Sequence, residues 1–326
     1  MGCRSCPRCL SPWWRMTEPL FHGDETGWKV FEKVDGKLGY HWYLWVMQCA
    51  SVIFYLMAPG RGADVPKGHF AGLAKGSAQV ILMCDRYVAY KCLAEENVVI
   101  LLAFCWAHVR RDFLDAARRH LELAEWMFTW VEDIRDLYRL NGRRLERWEE
   151  ARALSEQSPA FMEHHKALCR KLNSLADQRD ASLQEPLHSA QKKVLKSLKN
   201  HWQGLTVFIE RPQVAMDNNT AQRSVRNPVT GRKNYYGSGS VWSAHLAARM
   251  FTLLQTVMLW GLNPRHWLYA YLKACAENGG KSPLNLSPFL PWAMDEERQQ
   301  NFSQPLREDW PILPRPLDEP DITDTS

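Results

Sequence analysis

The run AQVILMCD, residues 78–85, constrains the fold more than any other stretch of the chain. Val80 to Cys84 are apolar without alternation, the pattern of a strand buried on both faces, and such strands belong to sheets covered by helices on each side. The run stops abruptly at Asp85. A second run, VVILLAFCWAHVRRDF (98–113), reads as another buried strand entering a helix. Upstream, GDETGWKVFEKVDGKLGYHWYLWVMQCASVIFYLMAP (23–59) reads as a meander of strands, with a tight turn at Asp35 and Gly36 and a break near Ala50. Its first strand starts at Asp24, and Glu25 follows. Residues 61–76 read as a short helical crossover, so the expected class is α/β, a mixed sheet with flanking helices.

The chemistry concentrates in three places. Asp24 and Asp85 sit at strand ends, where a charge is costly unless something binds it. Either one alone fits a turn-starting aspartate. Together they suit a divalent metal such as Mg2+, which prefers hard oxygen ligands. The stretch AMDNNTAQRSVRNPVTGRKNYYGSGS (215–240) is the most polar. If Asp217 caps a helix that begins at Asn218, then Asn218, Gln222 and Arg226 share one face. Arg223, Arg232 and Lys233, with Tyr235 and Tyr236 behind them, suit phosphates and stacked bases, although a solvated polar face has the same composition. Arg110 and Arg111 either meet phosphate near the carboxylates or pair with Asp112 and Asp115 on their own helix. Cys105 and His108 have ligand-like spacing but are two ligands short of a zinc set, and a satisfied buried histidine is the expected reading.

Residues 112–208 change character. They are dense in Arg, Glu, Leu and Lys and carry helical spacing, as in Leu121, Ala124, Met127, Phe128 and Val131. An all-helical insertion is expected, with QKKVLKSLKNHW (191–202) as its basic face. SAHLAARMFTLLQTVMLWGL and NPRHWLYAYLKACAENGG then read as two amphipathic helices packed on the sheet. From residue 282 proline and acid accumulate, which predicts a loosely ordered tail.

Composition narrows the setting only a little. The formal charge of +5 suits a polyanion partner weakly. Nine cysteines and no secretory leader at the N-terminus point to a reducing, cytoplasmic location. Cys3, Cys6 and Cys9 are spaced as part of a metal site but have no fourth ligand nearby. Residues 40–59 are long enough to span a bilayer, yet His41, Gln48 and Ser51 interrupt them and their β-branched and aromatic content fits strands, so no membrane span is expected.

The combination GDETGW, CDRYVAYK, FCWAHVRRDF and DNNTAQRSVRNPVTGRKNYYGSGSVWSAHLAA resembles the insertion-sequence-66 family of bacterial DDE transposases over roughly residues 20–295. The resemblance implies a ribonuclease-H-like core in two parts, 20–111 and 209–281, around the insertion 112–208, with an irregular segment 1–19 before it and a tail 282–326 after it. It implies Mg2+- or Mn2+-dependent DNA cutting and strand transfer at the ends of a mobile element. Terminal inverted repeats and target DNA would be the partners, with further copies or other transposition proteins. Asp24 and Asp85 match the first two catalytic acids and would hold metal. The third acid, usually glutamate, is Gln222 here. A glutamine brings no negative charge, which leaves two expectations open: a weakened or inactive enzyme, or a catalytically silent DNA-binding remnant that occupies element ends or joins an intact transposase. Family members usually carry an upstream recognition region, whereas 23 residues precede Asp24, so a truncated chain is expected.

Overall fold

The computed structural model describes residues 19–34, 36, 40–73, 78–154 and 158–304. The run of Cys3, Cys6 and Cys9, the turn residue Asp35 and the chain beyond Gln304 lie outside the described residues. Two compact units are distinguished, Met1–Thr252 and Leu253–Ser326.

The first unit is built on five strands, β1 (Leu20–Lys29), β2 (His41–Gln48), β3 (Ile53–Ala58), β4 (Val80–Cys84) and β5 (Ile100–Phe104), in the order β3-β2-β1-β4-β5. The meander β1–β2–β3 is antiparallel, and β4 and β5 extend it in parallel. All five residues of β4 are buried, as its unbroken apolar run demands. One correction concerns β1, which starts at Leu20 and not at Asp24, so Asp24 stands inside the strand. Leu20, Phe21 and His22 pair with β4.

Helices α1 (Asp64–Phe70) and α2 (Val88–Glu96) cover one face, where Phe21 meets Phe70 edge-on at 5.2 Å and Trp45 meets Tyr90 at 5.9 Å. The insertion then runs through α3 (Trp106–Arg119), α4 (Ala124–Leu154), α5 (Pro159–Ser182), α6 (Ser189–Asn200), α7 (Trp202–Leu205) and α8 (Val207–Glu210). Its apolar stripes close on themselves: Phe113 stacks on Trp130 at 5.5 Å, and Met127, Ile134, Leu168 and Leu172 are buried.

Helices α9 (Asn219–Tyr235) and α10 (Val241–Leu259) follow, and Ala221, Ala244 and Ala248 pack with Trp28, Trp42 and Tyr55 in one buried cluster. Small residues on the helices let them approach the large rings of the strands. Pro228 inside α9 has no N–H for the Ser224 carbonyl four residues earlier, and the Tyr55 hydroxyl donates to that carbonyl at 2.8 Å instead. The edge strand β3 is closed in a similar way, since the Thr252 hydroxyl accepts the Tyr55 N–H at 2.9 Å.

The second unit corrects two expectations. Helix α11 (Pro264–Glu277) buries Trp267 with Val257, Leu262, Phe289, Met294 and Phe302 in a core of its own. Nor is the chain from residue 282 a loose tail throughout, because it forms 3-10 turns at Ser287–Phe289 and Pro291–Ala293 and helix α12 (Glu296–Ser303). Asp295 caps α12 by accepting the Arg298 N–H at 2.8 Å. The aromatic anchors Phe289 and Phe302 sit among prolines and acids whose composition conceals them. No described helix is long and apolar enough to cross a membrane.

Arg144 ties the insertion to the chain that leads into α9. It is fully buried and donates to the Phe208 and Ile209 carbonyls at 2.8 and 3.1 Å, and burial holds its pKa down at about 10. Arg144→Met keeps the volume but strands both carbonyls, so stability to urea falls by about 2 kcal/mol. Unchanged unfolding midpoints and slopes would remove Arg144 from that role.

Candidate active site

Strand register brings the two predicted aspartates together. β1 and β4 run parallel, with His22 opposite Met83 as their last pair. Asp24 and Asp85 each lie two residues further on, Asp24 inside β1 and Asp85 just past the end of β4, so they stand at the same level of neighbouring strands, which are spaced about 4.8 Å apart. Their charges act on one another: burial pushes the Asp24 carboxyl up to about 7, against the Glu25 N–H that it accepts, with the charges of Glu25 and Asp85 adding to the rise. Asp85 accepts the Tyr87 N–H at 2.9 Å.

Glu25 shares a cation with Asp85. Arg61, from the loop after β3, forms an ion pair with it and lies 3.9 Å from Asp85, while its guanidinium stacks 3.7 Å over the Tyr87 ring. The buried Tyr90 hydroxyl donates to Glu25 at 2.8 Å. Gly23 gives Tyr90 room to do so, because a Cβ there would lie 3.1 Å from its ring. Burial raises the Glu25 pKa, the Asp85 charge adds to this, and Arg61 and Tyr90 oppose it. Glu25, Arg61 and Tyr90 were not singled out from the sequence. The available signal was an isolated arginine at the end of an apolar strand beside two acidic ones.

Helix α9 is fixed against this place by Asn218. Its side chain donates to the Gly23 carbonyl at 2.8 Å and meets His22 at 3.2 Å, and its own N–H goes to the Cys105 sulfur at 3.2 Å. Asn218 is therefore a buried tether just before the helix, and its carbonyl accepts the Gln222 N–H at 3.1 Å. Asp217 accepts the Asn219 N–H at 3.1 Å, the capping expected of it displaced by a residue. Gln222 is half-buried one turn after Asn218, on the flank of α9 that Asn218 fastens to β1. Its side chain forms no hydrogen bond among the described residues.

The cations divide into two groups. Arg223, Arg226 and Lys233 are exposed on α9, and Arg232 reaches the Thr26 hydroxyl at 3.4 Å. None of the four has an ion pair among the described residues. Arg110 and Arg111 are exposed on α3, likewise without an ion pair among the described residues. The alternative in which they neutralise Asp112 and Asp115 does not hold, because those acids pair with Arg86 and Arg118 at 2.6 and 3.0 Å. Arg110 borders a pocket with Tyr138 and Glu132, on the insertion side.

Asp24, Glu25 and Asp85 crowd around one cation, Arg61. A carboxyl held at about 7 by burial is a hard-oxygen donor short of positive charge, the kind of group that a divalent ion such as Mg2+ would take. A mixed sheet with carboxylates aligned on neighbouring parallel strands defines a carboxylate-centred site. The chain belongs to the Transposase IS66 family, whose model matches residues 15–246. It is 28% identical over 258 residues to the uncharacterized protein y4jD of Sinorhizobium fredii (strain NBRC 101917 / NGR234), a match covering 76% of this chain and 47% of the relative. The uncharacterized protein y4hP of the same strain is 28% identical over 260 residues, covering 74% and 43%. The chain thus spans less than half the length of these curated relatives. No solved structure matches it significantly.

Two outcomes follow from the charges. The folded Asp24 holds its proton up to about 7 and the unfolded group only to 3.8, so without metal its contribution to stability is full below pH 4 and drains as pH rises through 7. Asp24→Asn escapes that loss: in EDTA its Tm relative to the parent rises from pH 5 to pH 8, and a constant difference would contradict the assignment. Arg61→Gln leaves Glu25 and Asp85 without their cation, so its Tm falls in EDTA and recovers in part with Mg2+. A deficit that Mg2+ does not reduce would show that Arg61 serves packing alone.

Proposed function

We propose that this chain is a catalytic region of a DDE-type transposase with a ribonuclease-H-like core, acting with Mg2+ or Mn2+ on DNA at mobile-element ends. The observation that carries the reading is the β1–β4 register that aligns Asp24 with Asp85 beside the start of α9. Membership of the Transposase IS66 family and the strand order support it.

In this reading Asp24 and Asp85 would hold the metal, which when bound supplies activation of water or a 3′-hydroxyl and stabilisation of the leaving oxygen. Asp24 must shed its proton to take part, so binding strengthens as pH rises through about 7. Arg61 pairs with Glu25 and, lying close to Asp85 as well, moderates the mutual repulsion of the acids. The cations Arg223, Arg226, Arg232 and Lys233 along α9, with Arg110 and Arg111 on α3, grip phosphates and set the register of the strand. Gln222, in the third acid position, offers a carbonyl oxygen but no charge, which weakens the hold on metal. That glutamine also favours a second reading, a silent DNA-binding chain that occupies element ends or joins an intact transposase.

Mg2+-dependent nicking of supercoiled DNA separates the two. The enzyme reading expects slow nicking by the parent chain, at least about tenfold faster nicking by Gln222→Glu (about 1.4 kcal/mol in the barrier), and none when Asp85→Asn is added. Nicking that survives Asp85→Asn would overturn the site. No nicking by either chain, with binding that persists in EDTA and falls steeply with salt, selects the silent binder.

A further inference from the structure

The far end of α9 presents an aromatic residue in a conformation that an ordinary surface tyrosine does not adopt. Tyr236 has φ 63°, the single positive value for a non-glycine among the described residues, and it is 71% exposed. Left-handed backbone is unfavourable for a bulky residue and persists where the surroundings over-determine it. Here they do. Gly237 lies so close to the Lys29 carbonyl that a Cβ would collide with it. The Ser238 N–H donates to that carbonyl at 2.8 Å, the Phe31 N–H donates to the Ser238 carbonyl at 2.9 Å, and the Trp28 indole N–H reaches the Ser238 hydroxyl at 3.0 Å. On the other side, the Tyr236 N–H closes the helix on the Arg232 carbonyl at 2.7 Å. The turn is pinned to the end of β1, and the ring is held out from it.

Beneath the ring lies a cavity of about 230 Å³ lined by Gly27, Trp28, Lys29, His41, Arg232 and Tyr236. It combines aromatic walls with two cations, Lys29 and Arg232, and none of its lining residues is acidic. Aromatic faces beside cations match the chemistry of a base with its flanking phosphates. We propose that this pocket receives an unstacked nucleobase of a bound DNA strand, with Tyr236 against the base and Lys29 and Arg232 on the adjoining phosphates. The inference rests on the DNA reading above and adds a place where single-stranded character is recognised. The pocket stands about 20 Å from Gln222 along α9, at 1.5 Å per residue, so it holds the strand away from the carboxylates.

The backbone conformation makes a clean test available. Tyr236→Gly removes the ring and suits the left-handed geometry, so the variant folds with a Tm equal to or above that of the parent. Binding is measured in EDTA by fluorescence, with an oligonucleotide carrying unpaired 2-aminopurine and with a fully paired duplex. The parent quenches the 2-aminopurine, and Tyr236→Gly loses the quench and binds the unpaired strand roughly tenfold more weakly. Its duplex affinity stays within about twofold, and Tyr236→Phe retains both properties. Equal binding and quenching by Tyr236→Gly, with duplex still held, overturns the pocket alone. A parent chain with no affinity for either form overturns the DNA reading and the pocket with it.

Discussion

Parallel pairing between β1 and β4 decides where negative charge collects in this molecule. Register fixes it: the ladder ends at His22 and Met83, and both strands carry an aspartate two residues on. Burial is the main upward push on Asp24, and the like charges of Glu25 and Asp85 add to it. The third carboxylate, Glu25, is held by Arg61 and Tyr90, and Arg61 also lies 3.9 Å from Asp85. An acid with fixed partners thus stands next in sequence to one left to find a cation.

Helix α9 depends on the same strand. Asn218 fastens its first turn to β1 and to the chain just after β5, the Tyr55 hydroxyl repairs the gap left by Pro228, and the turn at Gly237 fastens its end to Lys29 and Val30. Sliding the helix along the sheet would break hydrogen bonds at both ends and leave buried polar groups unpaired. The position of Gln222 therefore belongs to a rigid frame, and the chemistry at that position is a matter of side-chain charge more than of backbone placement.

Much of this was legible in the sequence where one physical pattern acted alone. Val80–Cys84 read as a buried strand because nothing polar interrupts it, and the insertion read as helical because its apolar residues recur at helical spacing. The pairing of Asp24 with Asp85 was an expectation from strand ends, and the register supports it even though β1 starts earlier than expected. What escaped was everything that depends on partners remote in sequence. Asn218 looks like another amide on a polar helix until Gly23 and Cys105 are seen around it, 195 and 113 residues away. Arg61 is one of many arginines until the loop after β3 brings it to Glu25. The second unit was missed because Phe289 and Phe302 are diluted by proline and acid, a composition that usually signals disorder.

The hydroxyl of Thr252 on the Tyr55 N–H has a bearing on how copies of this chain meet. An outer strand with free amide groups is a template on which a stranger can lengthen the sheet, one backbone after another. Here a neighbour seeking that amide would first have to evict a threonine held by its own helix, whose hydroxyl in turn donates to the Ala248 carbonyl at 2.9 Å. The molecule thus carries its own stopper against runaway stacking at this margin.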